Sequence, residues 1–599
     1  MNVRMKRPTS TRGFVSKCLS ISIILGLVAM LCIGQLISIQ LLNGKSTAQA
    51  ATASRTLPVK ISASRGEILD TNGTVLAQSV ERYTIIGDPQ AAQSFKPTTC
   101  TSQTASNCQQ IDGKPVDATG AAAVAKLLAP VLGVDALELG AKLSVSGRYV
   151  LLKKDVTPEV KRKIDALNLD GYIYAKLSSD RLYSNGTTIG SLLGGIDGNG
   201  NGVAGIEQME NSKLTGTDGY KVYQQGGGGE EIPGTVTESK AAVNGGNVTL
   251  TIDSDVDWYV KKVLTEGKDK YQADWALAVV QDVRSGQIIA LDDTDQIQAG
   301  SSAAKLNVSR AVGQTFEPGS IGKAISIAGM LQTGAHQLTD RFTVPYSINQ
   351  NGQVFHDAET HGNEHWTLAG ILKESSNVGM VMAGSNYSNA QRYEFLTKFG
   401  IGQSSGLGIP GESVGTLSNY QNWDGRTKDT VLFGQGYSVN ALQLTNAIAT
   451  IANKGVRQQQ SIIKSVTDAG GHVTLPDKSS STRVVDEKVA AQVLNAMESS
   501  GDLYNKFAGV DGYRIAAKSG TAEVLSPDGS LTSIVSDWAG IIPADNPRFV
   551  VTVVMKNPRV GGFGGLTAGP VFKQIGEFLM QKYEVPTSSP RTDAIAVDW

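Results

Sequence analysis

The sequence predicts an α+β protein: an antiparallel sheet flanked by helices, preceded by an elongated N-terminal pedestal domain and one N-terminal transmembrane helix. Three observations predict it. Residues 19–42 are 24 positions without a charge. Strand signals at 248–253 and 276–291 return at 533–542 and 548–555, with helical stretches between them, as in one α+β layer arrangement. Residues 61–250 are rich in turn signals and carry no evident catalytic motif.

The apolar run comes first. At about 1.5 Å per residue it makes a helix of roughly 36 Å, enough to cross a hydrocarbon core of about 30 Å with some tilt. Arg4, Lys6, Arg7, Arg12 and Lys17 precede it, so residues 1–18 are expected in the cytoplasm and everything after 42 outside. A cleaved signal peptide ending near Ala48-Gln49-Ala50 is the alternative. The run, however, exceeds the roughly 7–15 apolar residues of a signal peptide. The formal net charge of −1 gives no basic field for phosphates, so a general nucleic-acid binder is excluded.

Beyond the anchor, 43–60 reads as a linker, 61–250 as the pedestal, 251–585 as the sheet-and-helix domain and 586–599 as a C-terminal tail. Asn72-Gly73 marks a turn between short apolar runs. Residues 91–118 read as a polar surface insertion, 120–170 as helical, and 181–246, with its glycine run 226–229, as a turn-rich connector. The pairs 276–280 and 287–291, separated by Arg284-Ser285-Gly286, predict a buried hairpin. Helices are expected through much of 320–460. Cys18 and Cys32 lie at or within the anchor. Cys100 and Cys108 sit in the polar insertion on the exported side, where a local disulfide suits an oxidising compartment and two free thiols are the alternative.

Three short motifs carry chemistry. Ser320-Ile321-Gly322-Lys323 follows the turn Pro318-Gly319 and opens a helix, so Lys323 shares a helix face with the Ser320 hydroxyl. A neutral amine there can take the hydroxyl proton, and the helix N-terminus offers N–H groups to an oxyanion. In Ser375-Ser376-Asn377, the first serine can relay a proton and the Asn377 amide can hold a peptide carbonyl. In Lys518-Ser519-Gly520-Thr521, Gly520 permits close backbone approach while Lys518, Ser519 and Thr521 can bind a carboxylate. Each motif alone is weak: Ser461-Ile462-Ile463-Lys464 has the first spacing and reads as a strand edge.

In this order, behind an export signal, the three resemble the Ser-x-x-Lys, Ser-x-Asn and Lys-Thr-Gly set of penicillin-recognising serine enzymes, with Ser519 in place of threonine. The resemblance is to class B penicillin-binding proteins and extends further. Arg65-Gly66-Glu67-Ile68 and Asp70-Thr71-Asn72-Gly73 resemble their N-terminal motif, with Thr71 where the family has arginine. Arg181, Gly205, Glu207, Leu214 and Gly216 resemble further pedestal motifs. Gly434-Gln435-Gly436, residues 440–444 and residues 451–455 resemble the transpeptidase helix, and 433–444 is closer to division-type than to elongation-type members.

The resemblance implies a peptidoglycan D,D-transpeptidase acting on stem peptides ending in D-Ala-D-Ala, with Ser320 as nucleophile, no cofactor and no metal. It implies β-lactams as acylating inhibitors, backbone N–H groups of Ser320 and Thr521 as the oxyanion site, and partners among division proteins, including a polytopic glycan polymerase. Location at the division septum follows from the division-type segment.

Other features have plainer readings. Asp197 to Gly202 begins like a calcium loop, but position twelve is Gln208, so a glycine-rich turn is expected. His356, His361 and His365 with Asp357, Glu359 and Glu364 have irregular spacing and read as a solvated loop rather than a zinc site. Glu317, three residues before Ser320, could tune Lys323, but reads rather as a surface or supporting carboxylate. A bifunctional synthase would need a glycosyltransferase motif within 43–255. A β-lactamase would lack the pedestal, a β-lactam sensor would need cytoplasmic signalling segments, and a pure division scaffold would not need the intact motifs.

Overall fold

The computed structural model describes residues 12–42, 45–46, 48–49, 52, 56–184, 186–224, 231–476, 480–524 and 533–599. Arg4, Lys6 and Arg7, much of the expected linker and the glycine run 226–229 lie outside the described residues. Helix α1 (Arg12–Ile37) continues into a wider turn at Ser38–Leu42. Its span Val15–Gln40 has a mean hydropathy of 2.3 and is largely exposed, and it is the one helix among the described residues long and apolar enough to cross a membrane.

The described residues form two compact units. The first comprises Met1–Ala63, Tyr83–Lys176 and Thr217–Val243. Its core is the small-residue face of the helix Gly120–Leu132, where Ala123, Val124, Leu127 and Leu128 bury against Leu139, Leu152 and Val156. The stretch expected to be helical through 170 breaks at the strand Val150–Val156, which pairs with 83–87. Leu152 and Val156 there are buried in the core while Lys154 and Asp155 are exposed. Cys100 and Cys108 are joined in a disulfide within the polar insertion.

The second unit comprises Ser64–Arg82, Leu177–Gly216 and Asn244–Trp599. It is built on a five-stranded antiparallel sheet of β1 (Trp275–Asp282), β2 (Ile288–Asp293), β3 (Ala516–Val524), β4 (Ser533–Ile542) and β5 (Phe549–Lys556), in spatial order β2-β1-β5-β4-β3. The sheet is apolar on both faces because helices cover both. On one face α2 (Ser254–Tyr271) and the C-terminal α7 (Gly564–Lys582) pack on Ala278, Val280, Trp538 and Val553. On the other lie α3 (Gly322–Gln332), α4 (Asn377–Ala383), α5 (Ala441–Ala452) and α6 (Glu487–Asp502), in a core that includes Leu277, Ala539 and Val554.

Two short hairpins, Arg341–Val344 with Glu364–Thr367 and Ser347–Gln350 with Gln353–His356, interrupt the expected helices. The expected tail also packs: Thr367 donates to the Val597 carbonyl, and Trp599 lies over the Arg341 guanidinium.

The motifs resembling the pedestal family form a buried charge cluster inside this second unit. Glu207, fully buried, accepts from Arg65 Nε at 2.7 Å and from Arg181 Nε at 2.7 Å. Arg65 also reaches Asn211, and Arg181 the Gly66 carbonyl. Asp70 accepts from Ser254 Oγ and from the amides of Asn72 and Thr74. Thr71 receives Lys464 on both its carbonyl and its hydroxyl, so the second Ser-x-x-Lys spacing serves this contact on a strand.

A second buried cluster joins Asp257, Asp292 and Asp293 to Lys261. Asp257 Oδ1 accepts from Leu291 N while Oδ2 has no donor among the described residues. Burial pushes the Asp257 carboxyl up to about 7, and burial with the neighbouring Asp257 raises Asp292 well above the usual range.

Two outcomes are expected. Glu207→Ala leaves two buried guanidiniums without their shared counter-charge and should cost about 3–5 kcal/mol in denaturant unfolding. At Asp257 the folded state holds a proton that the unfolded chain releases near pH 4. Stability from this group is therefore complete below that value and declines as pH climbs through about 7. Asp257→Asn, which keeps the acceptor for Leu291 and adds a permanent donor, should flatten the dependence of Tm on pH between about 4 and 7; an unchanged slope counts against it.

Candidate active site

The Pro318-Gly319 turn feeds a single 3-10 turn, Gly319–Ile321, before α3 begins at Gly322. Ser320 therefore sits just ahead of the helix rather than within it. The turn is fastened on two sides. Gly319 N donates to Gly434 O at 3.0 Å, and Phe316 exchanges amide hydrogen bonds with Val439. Gly434 has φ +85°, and a side chain there would meet Gly319 O at 1.8 Å, so only glycine allows this approach. Glu317 accepts from Gly436 N at 2.9 Å. It braces this junction and makes no contact with Lys323. On the other side Gly319 packs against the Thr521 backbone of β3.

Lys323 is fully buried, and its Nζ lies 2.8 Å from Ser320 Oγ, 3.2 Å from Ser375 Oγ and 2.8 Å from Asn377 Oδ1. Lys518, 1% exposed, places Nζ 3.0 Å from the same Ser375 Oγ. The structure thus brings Ser320, Lys323, Ser375, Asn377 and Lys518 together, with Ser519 and Thr521 lining the same cleft and Gly520 between them. Burial first, then the Lys518 charge, lowers Lys323 well below the usual lysine range. Burial lowers Lys518 to about 7, opposed by Asp537 and Glu374. Two amines sharing one hydroxyl away from water favour at most one charge between them.

Ser375 has φ +61°, a left-handed turn between the helix Leu368–Lys373 and α4. It is held by Asp357, a buried carboxylate that accepts from Ser376 Oγ at 2.6 Å and from the amides of Asn377 and Val378 at the start of α4. The Asn377 Oδ1 is engaged by Lys323, which leaves its amide nitrogen, 3.5 Å from the His356 carbonyl, as the group facing outward.

The cleft has a volume of about 730 Å³ and is walled by Trp366, Phe433, Tyr504 and Phe563 as well as the motif residues. The sequence reading placed Asp357 in a solvated loop and did not single out Tyr504 or Phe563, whereas Gln435 lies in the Gly434-Gln435-Gly436 segment it named. They come from separate connections with no fixed spacing, and Asp357 stands 19 residues from the Ser376 it binds, so no local signal marked it. His361 pairs with Asp357 at 3.0 Å, and His365 meets Trp599 edge-on. Among the described residues no His, Cys, Asp and Glu group has a metal-binding arrangement. Asp197 caps its own turn through the Asn199 and Asn201 amides.

With this geometry in hand, comparison with known proteins is specific. The family model of the penicillin binding protein transpeptidase domain matches residues 276–577, and that of the penicillin-binding protein dimerisation domain matches residues 60–250. The chain is 32% identical over 552 residues to penicillin-binding protein PbpB of Mycobacterium tuberculosis, covering 88% of this chain and 79% of that protein. It is 29% identical over 533 residues to the peptidoglycan D,D-transpeptidase FtsI of Escherichia coli, covering 86% and 83%. The crystal structure of a peptidoglycan synthetase from Bifidobacterium adolescentis matches 91% of this chain and all of that one, with 66% identity and a TM-score of 0.74. Penicillin binding protein 3 of Mycobacterium tuberculosis, solved with aztreonam, matches 89% and 99% at 26% identity and a TM-score of 0.67. The chain belongs to the penicillin-binding protein transpeptidase family, in its class B form.

Proposed function

We propose that this chain is a membrane-anchored serine D,D-transpeptidase that cross-links peptidoglycan stem peptides through an acyl-enzyme on Ser320. The observation that carries the reading is the pair of buried lysines on one serine hydroxyl, with Lys323 also 2.8 Å from Ser320 Oγ. Neutral Lys323 takes the Ser320 proton as Oγ attacks the penultimate D-Ala carbonyl. Backbone N–H groups of Ser320 and Thr521 receive the oxyanion. Lys323 and Ser375 return the proton to the departing nitrogen, the C–N bond breaks, and D-Ala leaves. An amine from a second stem then attacks the ester, loses a proton to the same relay and restores the Ser320 hydroxyl. Asn377 orients the donor backbone, while Lys518, Ser519 and Thr521 hold the terminal carboxylate. A β-lactam carries the same carboxylate and acylates the same oxygen.

The N-terminal helix supports a single-pass anchor with residues 1–18 cytoplasmic and the transpeptidase domain, 251–585, outside. Likeness to division-type members across 433–444 supports a septal role. The segment 61–250 is the natural carrier of contacts to a polytopic glycan polymerase and other division proteins, since it holds none of the reacting groups.

Ser320→Ala should abolish covalent labelling by fluorescent penicillin while Tm stays near that of the parent; residual stoichiometric adduct would overturn the nucleophile assignment. Lys323→Ala should slow acylation by roughly 10²–10⁴-fold, the usual contribution of a positioned base. Intact-protein and peptide mass spectrometry would locate the adduct, and an adduct on any residue other than 320 would refute the scheme.

A further inference from the structure

Asp537 takes no part in the scheme above, yet it lies within its framework. It stands on β4 directly across from Gly520 in the β3–β4 register. Lys518 is two residues along β3 from Gly520, so both side chains leave the same face of the sheet as diagonal neighbours. Asp537 is fully buried, and neither carboxyl oxygen has a hydrogen-bond partner among the described residues. Its side chain occupies the space that Gly520 leaves: a Cβ at 520 would lie 1.9 Å from Asp537 Oδ1 and 2.7 Å from Pro318 O, in the nucleophile turn. The carboxyl is therefore wedged between the carboxylate-gripping strand and the turn that presents Ser320.

The surroundings offer it little. Lys518 is the charged side chain that acts on it, and burial raises it well above the usual carboxylate range. Lys518 in turn feels Glu374, and acts on Lys323, which also feels Asp357. β5 presents Val554 opposite, the nucleophile turn presents Pro318 and Gly319, and α7 approaches with Gly564, none of which titrates.

We propose that Asp537 is a positioning residue that must be a neutral acid during acyl transfer, acting as a proton-controlled brake on the carboxylate-binding strand. The proposal rests on the transpeptidase reading above. While neutral, it fills the gap behind Gly520 and leaves the Lys518 charge available to substrate. Once ionised, it cancels that charge and sets a negative group behind the turn where negative charge develops on the carbonyl oxygen.

Loss of one proton from the Asp537–Lys518 pair, from either group, switches the site off, so the pair titrates earlier than Lys518 alone would. The test is the pH profile of fluorescent-penicillin acylation of the full chain, for the parent, Asp537→Asn and Asp537→Ser, with Tm measured at each pH. In both variants the alkaline limb should move to higher pH by roughly half a unit or more. Coincident limbs in parent and folded variants would overturn the brake. If Asp537→Asn does not fold, Asp537→Ser, which removes the carboxyl with less bulk, decides alone; should both fail to fold, the carboxyl is structural and the brake is rejected. A parent that is not acylated at any pH would instead reject the transpeptidase reading itself.

Discussion

Two amines buried against one hydroxyl are the constraint on which the site depends. Lys323 and Lys518 both lie within hydrogen-bond reach of Ser375 Oγ. In water two ammonium groups so close would repel weakly; in a dry cleft the repulsion grows, and desolvation disfavours each charge as well. The cheapest state keeps one amine neutral. Lys323, with no exposed surface and with Ser320 Oγ beside it, is the amine positioned to use that neutrality. A base of the proposed kind needs no histidine or carboxylate partner: the neutrality of Lys323 comes from burial and from the second lysine.

Such an arrangement holds only if the backbone around it cannot relax. Three separate pieces of chain supply the three motifs, and each is pinned by contacts that no motif contains. Asp357 ties down the Ser376 hydroxyl and two amides at the start of α4. Glu317 and Gly434 hold the nucleophile turn against the segment ahead of α5. The third piece, β3, is held along its length by β4, from Ala516↔Ile541 to Val524↔Ser533. A left-handed φ at Ser375 is tolerated because Asp357 and Lys323 together over-determine that turn.

Much of this was legible in the sequence. Alternating and continuous apolar runs gave β1, β2, β4 and β5, because strands buried on both faces leave little ambiguity. The order of three short polar motifs pointed to the groups that the cleft brings together. The hairpins at 341–367 were hidden because their polar and aromatic residues neither alternate cleanly nor carry an apolar face of their own. Asp357 and Asp537 were hidden for a different reason. A buried carboxylate is recognisable only through its surroundings, and these stand 19 residues away at Ser376 for one and on the adjacent strand at Gly520 for the other. Local periodicity carries no trace of either pairing.

The same logic separates the roles of the N-terminal motifs. Arg65, Arg181 and Glu207 resemble family motifs in the sequence, yet they are engaged chiefly with one another: one carboxylate between two guanidiniums, with Asn211, Thr215 and backbone carbonyls taking further donors and Arg181 Nη2 buried without a partner among the described residues. Charges buried this deeply present almost no surface to a partner or a substrate. They also belong to the unit that holds the catalytic residues, as do Ser64–Arg82 and Leu177–Gly216 as a whole. A truncation at residue 245 would therefore cut into the catalytic unit itself. A surface reserved for other proteins is better sought in Tyr83–Lys176 and Thr217–Val243, whose buried residues serve a core of their own and whose exposed side chains are not claimed by the chemistry.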